Sequence, residues 1–341
     1  MSKAKHLYIH IPFCNRICNY CDFVRSVACK KTKVEYVANI INQLNDLKNL
    51  KLKTLYIGGG TPNSLDYNTL KKLLKNCSLF LTKNTEFSIE CNPKFVNKKQ
   101  VALFKKYGIN RISLGVQTLN ENILREMNRE QNNNDVIKAI KIFRKIGINN
   151  ISCDFIYGFN NTTLNDIKNI LIFINKYKIK HLSFYALEVK ENSILAKNNY
   201  QLDNDKMDGE LRLILKGLEK YQHYEISSWS IDNKHQSKHN LCYWKMHDWI
   251  GIGNGAYGLE NRNYYYWENN NKINKILDDK EYYFQIISMG LRLKKGINLK
   301  KKNNLLAYEY FKNKLKYVHV KNNHLIANNR NKLNDILIEL L

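Results

Sequence analysis

The chain has 341 residues, of which 55 are Lys or Arg and 30 are Asp or Glu, so its formal net charge is +25. Hydrophobic residues make up 44% of the sequence, which excludes an intrinsically disordered chain and suits one large or two ordinary domains. Its longest apolar runs, such as residues 170–174, are too short to span a membrane, and the N-terminal segment lacks the apolar region of a secretory signal. We therefore expect a cytoplasmic protein, and any membrane contact is expected to be peripheral.

The basic residues are distributed along the whole chain and are accompanied by abundant Asn and Ile. A nucleic-acid-binding surface requires clustered charge, so we attribute the excess to a general bias in composition and predict no nucleic-acid partner. An RNA-binding module remains a hypothesis that rests on charge alone. It predicts retention on RNA that weakens steeply with salt.

From residue 6 to about residue 187, short β-rich segments alternate with helical ones. Several of the β-rich segments are apolar nearly throughout, as is typical of parallel strands covered on both faces. The predicted strands cover residues 6–11, 54–58, 86–91, 111–117, 150–157 and 181–187. The predicted helices between them lie within residues 34–47, 70–81, 98–107, 135–146 and 164–177. Repeated βα units predict a parallel sheet, either open and doubly wound or curled into a barrel.

The pattern changes after about residue 200. A helix is predicted over residues 207–221, and a region rich in Trp, His and Tyr follows it. The tail contains two or three predicted helices and a short β-like element at residues 316–326. We expect a first domain of residues 1–225 and a smaller α+β domain of residues 226–341.

Three of the eight cysteines form a C-x3-C-x2-C cluster at Cys14, Cys18 and Cys21, directly after the first predicted strand. Ligands in α/β folds bind at the carboxyl ends of strands, and three thiolates can hold three irons of a [4Fe–4S] cluster. No fourth cysteine follows at a ferredoxin spacing, so the fourth iron would be open to an external ligand. The alternative is a structural zinc site completed by His10 or Cys29.

The residues around this cluster resemble the radical S-adenosylmethionine (SAM) superfamily. Within it they resemble the oxygen-independent coproporphyrinogen oxidase group and its heme-chaperone relatives, the HemW family. The matching motifs occur in the family's order at residues 8–14 (YIHIPFC), 58–62 (GGGTP), 90–93 (ECNP), 115–117 (GVQ), 128–131 (NREQ) and 154–158 (DFIYG). This resemblance implies a partial TIM-type (β/α)6 radical SAM barrel with its cofactors at the carboxyl ends of the strands.

The resemblance also implies which residues contact the cofactors. The three clustered cysteines would bind a [4Fe–4S] cluster, whose open iron would bind the amino and carboxylate groups of SAM. Glu90 would contact this SAM. Further SAM positions, several of which surround a second SAM in the oxidases, are Tyr8, Tyr20, Gly59, Gly60, Thr61, Gln117, Arg129, Asp154 and Ala186. Each of these side chains has an alternative interpretation as a strand-end cap or a surface ion pair.

Three features separate the two branches of this family. The oxidases carry a further cysteine two residues after the third, where this chain has Phe23. The HNxxYW motif of the chaperone branch is present at residues 239–244, and the short segment before the cysteines also favours that branch. A histidine can ligate heme iron, and aromatic rings offer flat apolar faces to a porphyrin. The resemblance therefore implies a heme site at His239, Asn240, Tyr243 and Trp244.

The alternative for this motif is a packed aromatic cluster around a hydrogen-bonded histidine. The glycine-rich stretch at residues 251–258 carries Tyr257 where the family has histidine, which removes one contact to heme or substrate. We expect a heme chaperone that binds heme as its cargo, receives electrons from a donor and serves a heme-accepting protein. The alternative is an enzyme, a coproporphyrinogen III oxidase that forms protoporphyrinogen IX with a 5′-deoxyadenosyl radical.

Overall fold

A computed structural model describes residues 4–47 and 49–341, so the first three residues of the N-terminal segment discussed above lie outside the described part. Its strands are β1 His6–Ile11, β2 Thr54–Gly59, β3 Glu86–Cys91, β4 Arg111–Gln117, β5 Asn150–Tyr157, β6 His181–Ala186, β7 Gln222–Glu225, β8 Ser228–Ser230, β9 Ile250–Ile252, β10 Tyr257–Glu260, β11 Asn263–Glu268, β12 Asn271–Ile276, β13 Ile297–Asn298, β14 Val318–Lys321 and β15 His324–Ala327. Its helices are α1 Lys30–Asn45, α2 Tyr67–Cys77, α3 Lys98–Lys106, α4 Glu121–Glu126, α5 Asn133–Lys145, α6 Leu164–Lys176, α7 Ile194–Lys197, α8 Asn204–Gly217, α9 Lys238–Trp244, α10 Asp279–Gly290, α11 Lys302–Phe311 and α12 Leu333–Ile338. Within these described ranges, no helix combines the length and the hydropathy that crossing a bilayer requires.

One large sheet organises the fold. In the described part of the chain its strand order is β7-β8-β6-β5-β4-β3-β2-β1-β9. Strands β1 to β6 pair in parallel, β9 joins β1 in parallel, and β8 pairs antiparallel with β6 and β7. The six predicted strands are confirmed, with ends that agree to within one residue. The predicted helices are observed as α1, α2, α3, α5, α6 and α8, with ends shifted by up to four residues.

The sheet is curled into a partial barrel. Strands β1 and β6 are five positions apart, which would separate them by about 24 Å in a flat sheet. Nevertheless Cys14, just after β1, and Ala186, at the end of β6, line one cavity. The sheet begins and ends with β7 and β9, which do not pair with each other in the described chain, so the barrel is open. This confirms the partial (β/α)6 barrel.

The two faces of the parallel strands differ in chemistry. Phe87, Ile112 and Phe155 are fully buried in one hydrophobic core together with residues of the helices. The inner face instead carries polar side chains such as Glu90 and Asp154, which line the cavity. The expectation that these strands are apolar on both faces is therefore wrong for the inner face, because that face surrounds a cavity.

The C-terminal part has a hydrophobic core of its own. Helices α10, α11 and α12 and the sheet β13-β15-β14 contribute residues such as Phe311 and Leu325 to it. The β-like element predicted at residues 316–326 is a hairpin of β14 and β15 that turns at two consecutive asparagines with positive φ. The domain boundary at residue 225 stays a prediction; it falls between β7 and β8, and the large sheet continues as far as β9.

Candidate cofactor site at the carboxyl ends of the strands

A cavity of about 490 Å³ opens at the carboxyl ends of β1 to β6. Parallel strands all end on the same side, so residues distant in sequence meet there. The predicted site residues that line it are Cys14, Cys18, Tyr20, Cys21, Gly59, Gly60, Thr61, Glu90, Gln117, Arg129, Asp154 and Ala186. Tyr8 lies outside this lining, lower on β1, where its hydroxyl is 3.0 Å from His10 Nδ1.

The cysteine loop is fixed by its neighbours around the cavity. The Thr61 hydroxyl donates to Cys14 Sγ at 3.6 Å, and Arg129 Nη1 donates to Cys18 Sγ at 3.7 Å. Arg129 Nε is buried and has no protein partner in the described chain. A Cβ on Gly60 would lie 2.9 Å from the Cys14 sulfur, so only glycine leaves the sulfur unobstructed. The loop thus keeps space around its sulfur atoms.

Burial controls the ionisation of the cysteine thiols. It raises the pKa of the Cys14 thiol, and it raises the pKa of Cys21 to about 11. The Arg129 guanidinium opposes this increase at Cys14, since a nearby cation favours the thiolate. Coordination to a metal deprotonates a thiol outright. The loop is therefore suited to hold thiolates once a metal centre is bound.

Two partly buried carboxyl groups face the cavity from β3 and β5. Glu90 accepts hydrogen bonds from the Tyr56 hydroxyl at 2.9 Å and from the Gly59 N–H at 3.1 Å. Burial raises the pKa of Glu90 to about 7, and the charge of Asp154 adds to this shift. Burial also raises the pKa of Asp154, although Ser113 and two other serines donate to it. Because neither group has a salt bridge in the described part of the chain, this wall favours a cationic ligand.

Strand β4 is irregular where it reaches the cavity. The register of its pairing with β5 shifts between Gly115 and Gln117, and Gln117 has a φ of +68°. The carbonyl of Gly115 accepts hydrogen bonds from Arg129 at 2.9 Å and from Gln131 at 3.0 Å, which hold the bulge in place. Bulges re-aim side chains and recur beside functional sites. The bulge therefore lies at the point where Gln117 enters the cavity wall.

The cavity also contains residues that the sequence analysis missed: Tyr56, Ser113, Tyr185 and Arg25. Tyr56 and Ser113 were detectable, because alternate residues of a strand share a face. Tyr56 lies two positions before a glycine of the GGGTP motif, and Ser113 lies two positions before the GVQ motif. Arg25 follows the cysteine loop in an irregular segment, where no periodicity predicts its direction.

Comparison with known proteins identifies the family. Residues 8–174 match the Radical SAM superfamily. The chain is 34% identical over 267 residues to the heme chaperone HemW of Buchnera aphidicola subsp. Schizaphis graminum, covering 74% of this chain and 69% of the relative. It is 30% identical over 325 residues to HemW of Lactococcus lactis, covering 89% of this chain and 86% of that relative. The chain belongs to the HemW family.

A solved structure shares the fold of this HemW family member. It is coproporphyrinogen III oxidase (HemN) of Escherichia coli, described as a radical SAM enzyme, with a TM-score of 0.81 over 99% of this chain and 90% of that chain. The identity is 19%, so the likeness concerns the fold alone. Membership of the radical SAM superfamily implies a [4Fe–4S] cluster and SAM. The cavity suits both groups. Three thiols for the cluster share one loop, and carboxyl groups without a salt bridge in the described chain face the space that the positively charged groups of SAM would need.

The same geometry argues against the zinc alternative. His10 has both ring nitrogens engaged, one with the Tyr8 hydroxyl at 3.0 Å and the other with the Val24 carbonyl at 2.9 Å. Cys29 is exposed and bonds Thr32 just inside α1. A structural zinc ion requires four ligands around a single metal position. A [4Fe–4S] cluster instead takes each thiolate on a separate iron.

The HNxxYW motif of the HemW family lies in α9, at the amino-terminal end of the barrel. His239 is buried, and both of its ring nitrogens are hydrogen-bonded. Nδ1 bonds Thr54 Oγ1 at 2.7 Å, and Nε2 bonds the Tyr243 hydroxyl at 2.7 Å. The ring also stacks on Tyr56, with the centroids 5.0 Å apart. In this structure His239 belongs to a packed aromatic cluster, and ligation of heme would require one of these two bonds to break.

The remaining residues of the motif have different surroundings. Asn240 is partly buried, and Trp244 lies against the Arg292 guanidinium, which is 4.4 Å from its ring. Trp244 also forms part of the wall of a second cavity. Tyr257, which replaces the family histidine, is half exposed and stacks on Tyr264 with the centroids 5.7 Å apart. The structure thus distributes the predicted heme residues between the barrel interior and the outside of α9.

Proposed function

We propose that this protein is a heme chaperone that binds heme and delivers it to a heme-accepting protein. The similarity to the HemW protein of Lactococcus lactis carries this proposal, because it extends over 89% of the chain and well beyond the superfamily match at residues 8–174. Phe23, at the position where the oxidases that this family resembles have a cysteine, supports the chaperone over the oxidase. The side chain of Phe23 lines the cysteine cavity.

The cofactor site of this proposal is the cavity at the carboxyl ends of the strands. Cys14, Cys18 and Cys21 would hold a [4Fe–4S] cluster, and Glu90 and Asp154 would face the positive groups of SAM. When bound and reduced, the cluster supplies an electron, which a donor protein must first provide; the chain positions and shields the cofactors.

Three contributions come from side chains that surround these groups. The Gly59 N–H and the Tyr56 hydroxyl orient the carboxylate of Glu90. The Tyr20 ring lines the cavity and packs edge-to-face on Phe159, with the centroids 6.4 Å apart. Arg129 supplies positive charge beside the sulfur of Cys18.

The test uses protein reconstituted anaerobically, with its iron and sulfide content verified. We expect hemin to bind saturably with a shifted Soret band. Transfer to a heme-free b-type cytochrome should then proceed at a rate that increases with acceptor concentration, whereas spontaneous heme loss is independent of it. With SAM, reductant and coproporphyrinogen III, no protoporphyrinogen IX should form. Formation of that product, or a failure to bind hemin, would overturn the proposal.

A further inference from the structure

A second cavity, of about 900 Å³, lies between α9 and the C-terminal unit. It adjoins the amino-terminal end of β1, because its wall residue His247 stacks on His6 with the ring centroids 5.8 Å apart. The volume is in the range of roughly 300–1,000 Å³ that is usual for ligand cavities. Apolar side chains, including Leu241, Trp244 and Ile286, form part of its wall. An apolar ligand of substantial size is therefore compatible with this space.

The charged groups around this cavity are all positive in the described chain. They are Lys245, Lys294, Lys295 and Lys301, and no Asp or Glu of the described residues joins them in the wall. None of the four lysines forms a salt bridge within residues 4–47 and 49–341. Burial lowers the pKa of Lys245, and the charges of Lys301 and Lys295 lower it further. Such uncompensated positive charge favours an anionic ligand.

Three histidines line the cavity, and they differ in how far the protein engages them. His223 bonds a backbone carbonyl through Nε2 and Arg330 through Nδ1. His324 bonds a backbone carbonyl through Nδ1 at 2.9 Å. The ring nitrogens of His247 have no hydrogen-bond partner in the described chain. His247 is exposed in the cavity wall, and partial desolvation together with the charges of Lys301 and Lys245 lowers its pKa to about 4. Its ring is therefore neutral and carries a free lone pair at neutral pH.

We infer that this second cavity is the heme site, with His247 ligating the iron and Lys245 and Lys301 pairing with the propionates. The inference rests on the function proposed above. Heme joins a flat apolar ring to two carboxylates and an iron that accepts imidazole. The cavity offers apolar walls, lysines and His247, whose two ring nitrogens both lack a protein partner in the described chain. The inference also gives two residues of the HNxxYW motif different roles. Trp244 would contact the porphyrin ring, while His239 anchors α9 to the inside of the barrel through Thr54.

The test compares hemin with metal-free protoporphyrin IX, which shares the ring and the carboxylates but has no iron. Full-length protein is titrated with each, and the Soret and ligand-field bands are recorded. His247→Gln should raise the Kd for hemin about tenfold or more, remove the bands of the ligated iron and leave protoporphyrin IX binding unchanged. The double variant Lys245→Gln/Lys301→Gln should raise the Kd for hemin and the Kd for protoporphyrin IX about tenfold each. His319→Gln is the control and should change neither, because His319 is exposed on β14 outside the wall of this cavity.

The outcomes separate this inference from the proposed function. If wild-type protein binds hemin and both the His247→Gln and the lysine variants bind it equally well, the second cavity is not the heme site, while the chaperone function stands. If wild-type protein binds no hemin, the function itself fails. If folded His239→Ala protein loses the bands of the ligated iron and His247→Gln retains them, the iron ligand is the motif histidine and the inference is overturned.

Discussion

At the amino-terminal end of the barrel, polar side chains form a closed network. His6 Nδ1 bonds Thr54 at 2.9 Å, Thr54 bonds His239 at 2.7 Å, and Glu86 accepts the His239 backbone N–H at 3.0 Å. At the carboxyl end, Glu90 and Asp154 are partly buried and form no salt bridge in the described chain, and the buried Nε of Arg129 has no protein partner there. The two ends use similar residue types, but at the amino-terminal end these side chains bond one another, whereas at the carboxyl end Glu90 and Asp154 line a cavity.

This difference gives a criterion for separating structural from functional residues. Buried polar groups are normally satisfied within the protein, so an unsatisfied one marks a place where a ligand completes the environment. His239 and His247 lie eight residues apart in the same region, yet they differ in their surroundings. His239 is buried with both nitrogens bonded by neighbouring side chains, whereas His247 is exposed and neither of its ring nitrogens is bonded in the described chain. Residue type alone would treat the two histidines alike.

The largest effect is expected from the cysteine loop. Cys14→Ala, Cys18→Ala and Cys21→Ala should each reduce the iron and sulfide content of reconstituted protein to background, because each removes the sulfur of one iron. Cys29→Ala is the matched control, since Cys29 is exposed and bonds only within its own segment, at Thr32. A cluster retained at full occupancy in any of the three variants would remove that cysteine from the site.

A second variant tests the space beside the loop. Gly60→Ala places a Cβ 2.9 Å from both the Cys14 sulfur and the Phe13 carbonyl oxygen, so it should lower cluster content severalfold in folded protein. Gly209→Ala is the control, because its Cβ meets nothing closer than 3.9 Å in α8. That control should keep its iron and gain about 0.5–1 kcal/mol in free energy of unfolding. Equal iron content in Gly60→Ala and Gly209→Ala would show that the cluster does not need the space that Gly60 leaves beside the Cys14 sulfur.

For the closed network at the amino-terminal end of the barrel, we expect a substitution to lower stability and to leave iron content unchanged. His239→Ala leaves the hydroxyls of Thr54 and Tyr243 without their buried partner, so the free energy of unfolding should fall by about 3 kcal/mol. Iron content should be unchanged in the folded fraction. His247→Ala, by comparison, should change stability by less than about 0.5 kcal/mol, because no hydrogen bond is lost. Urea unfolding of both variants measures the difference in free energy of unfolding. Equal destabilisation would show that the number of hydrogen bonds to each histidine does not distinguish a structural residue from a functional one.

The smallest effect concerns pH at the carboxyl end. The folded-state pKa of Glu90, about 7, lies above its ordinary value of 4.5, so the folded protein binds more protons than the unfolded chain between these values. Stability from this group is therefore fully present below pH 4.5 and is lost as the pH rises through 7. Glu90→Gln should remove this loss. Between pH 5 and pH 8, the free energy of unfolding of the variant should therefore rise by about 2 kcal/mol relative to that of wild type.

Urea unfolding midpoints of cofactor-free protein, measured across that pH range, check this prediction. Glu121→Gln provides a control, because Glu121 lies in the exposed first turn of α4. Parallel pH profiles for wild type and Glu90→Gln would show that burial does not raise the pKa of Glu90.

Local patterns determined much of this protein. The apolar segments and their spacing predicted the six parallel strands to within one residue, since strand formation depends on neighbours in sequence. Gly108 and Gly147 follow α3 and α5 with φ of +87° and +83°, a conformation that favours glycine at the end of a helix. The position of the cysteine loop after β1 was also predictable, because parallel strands direct their carboxyl ends to one edge.

Tertiary structure decided what those patterns could not. The curl of the sheet brings Tyr56 and Tyr185 into the cavity of the cysteine loop, and curvature depends on how helices pack on the outer face. The surroundings of His239 depend on Thr54, which is 185 positions away in the sequence. A motif specifies that a histidine is present, but whether its nitrogens are bonded or free is a property of its neighbours in space. For that reason the sequence located the cofactor cavity, and only the packing of α9 against the barrel distinguished His239 from His247.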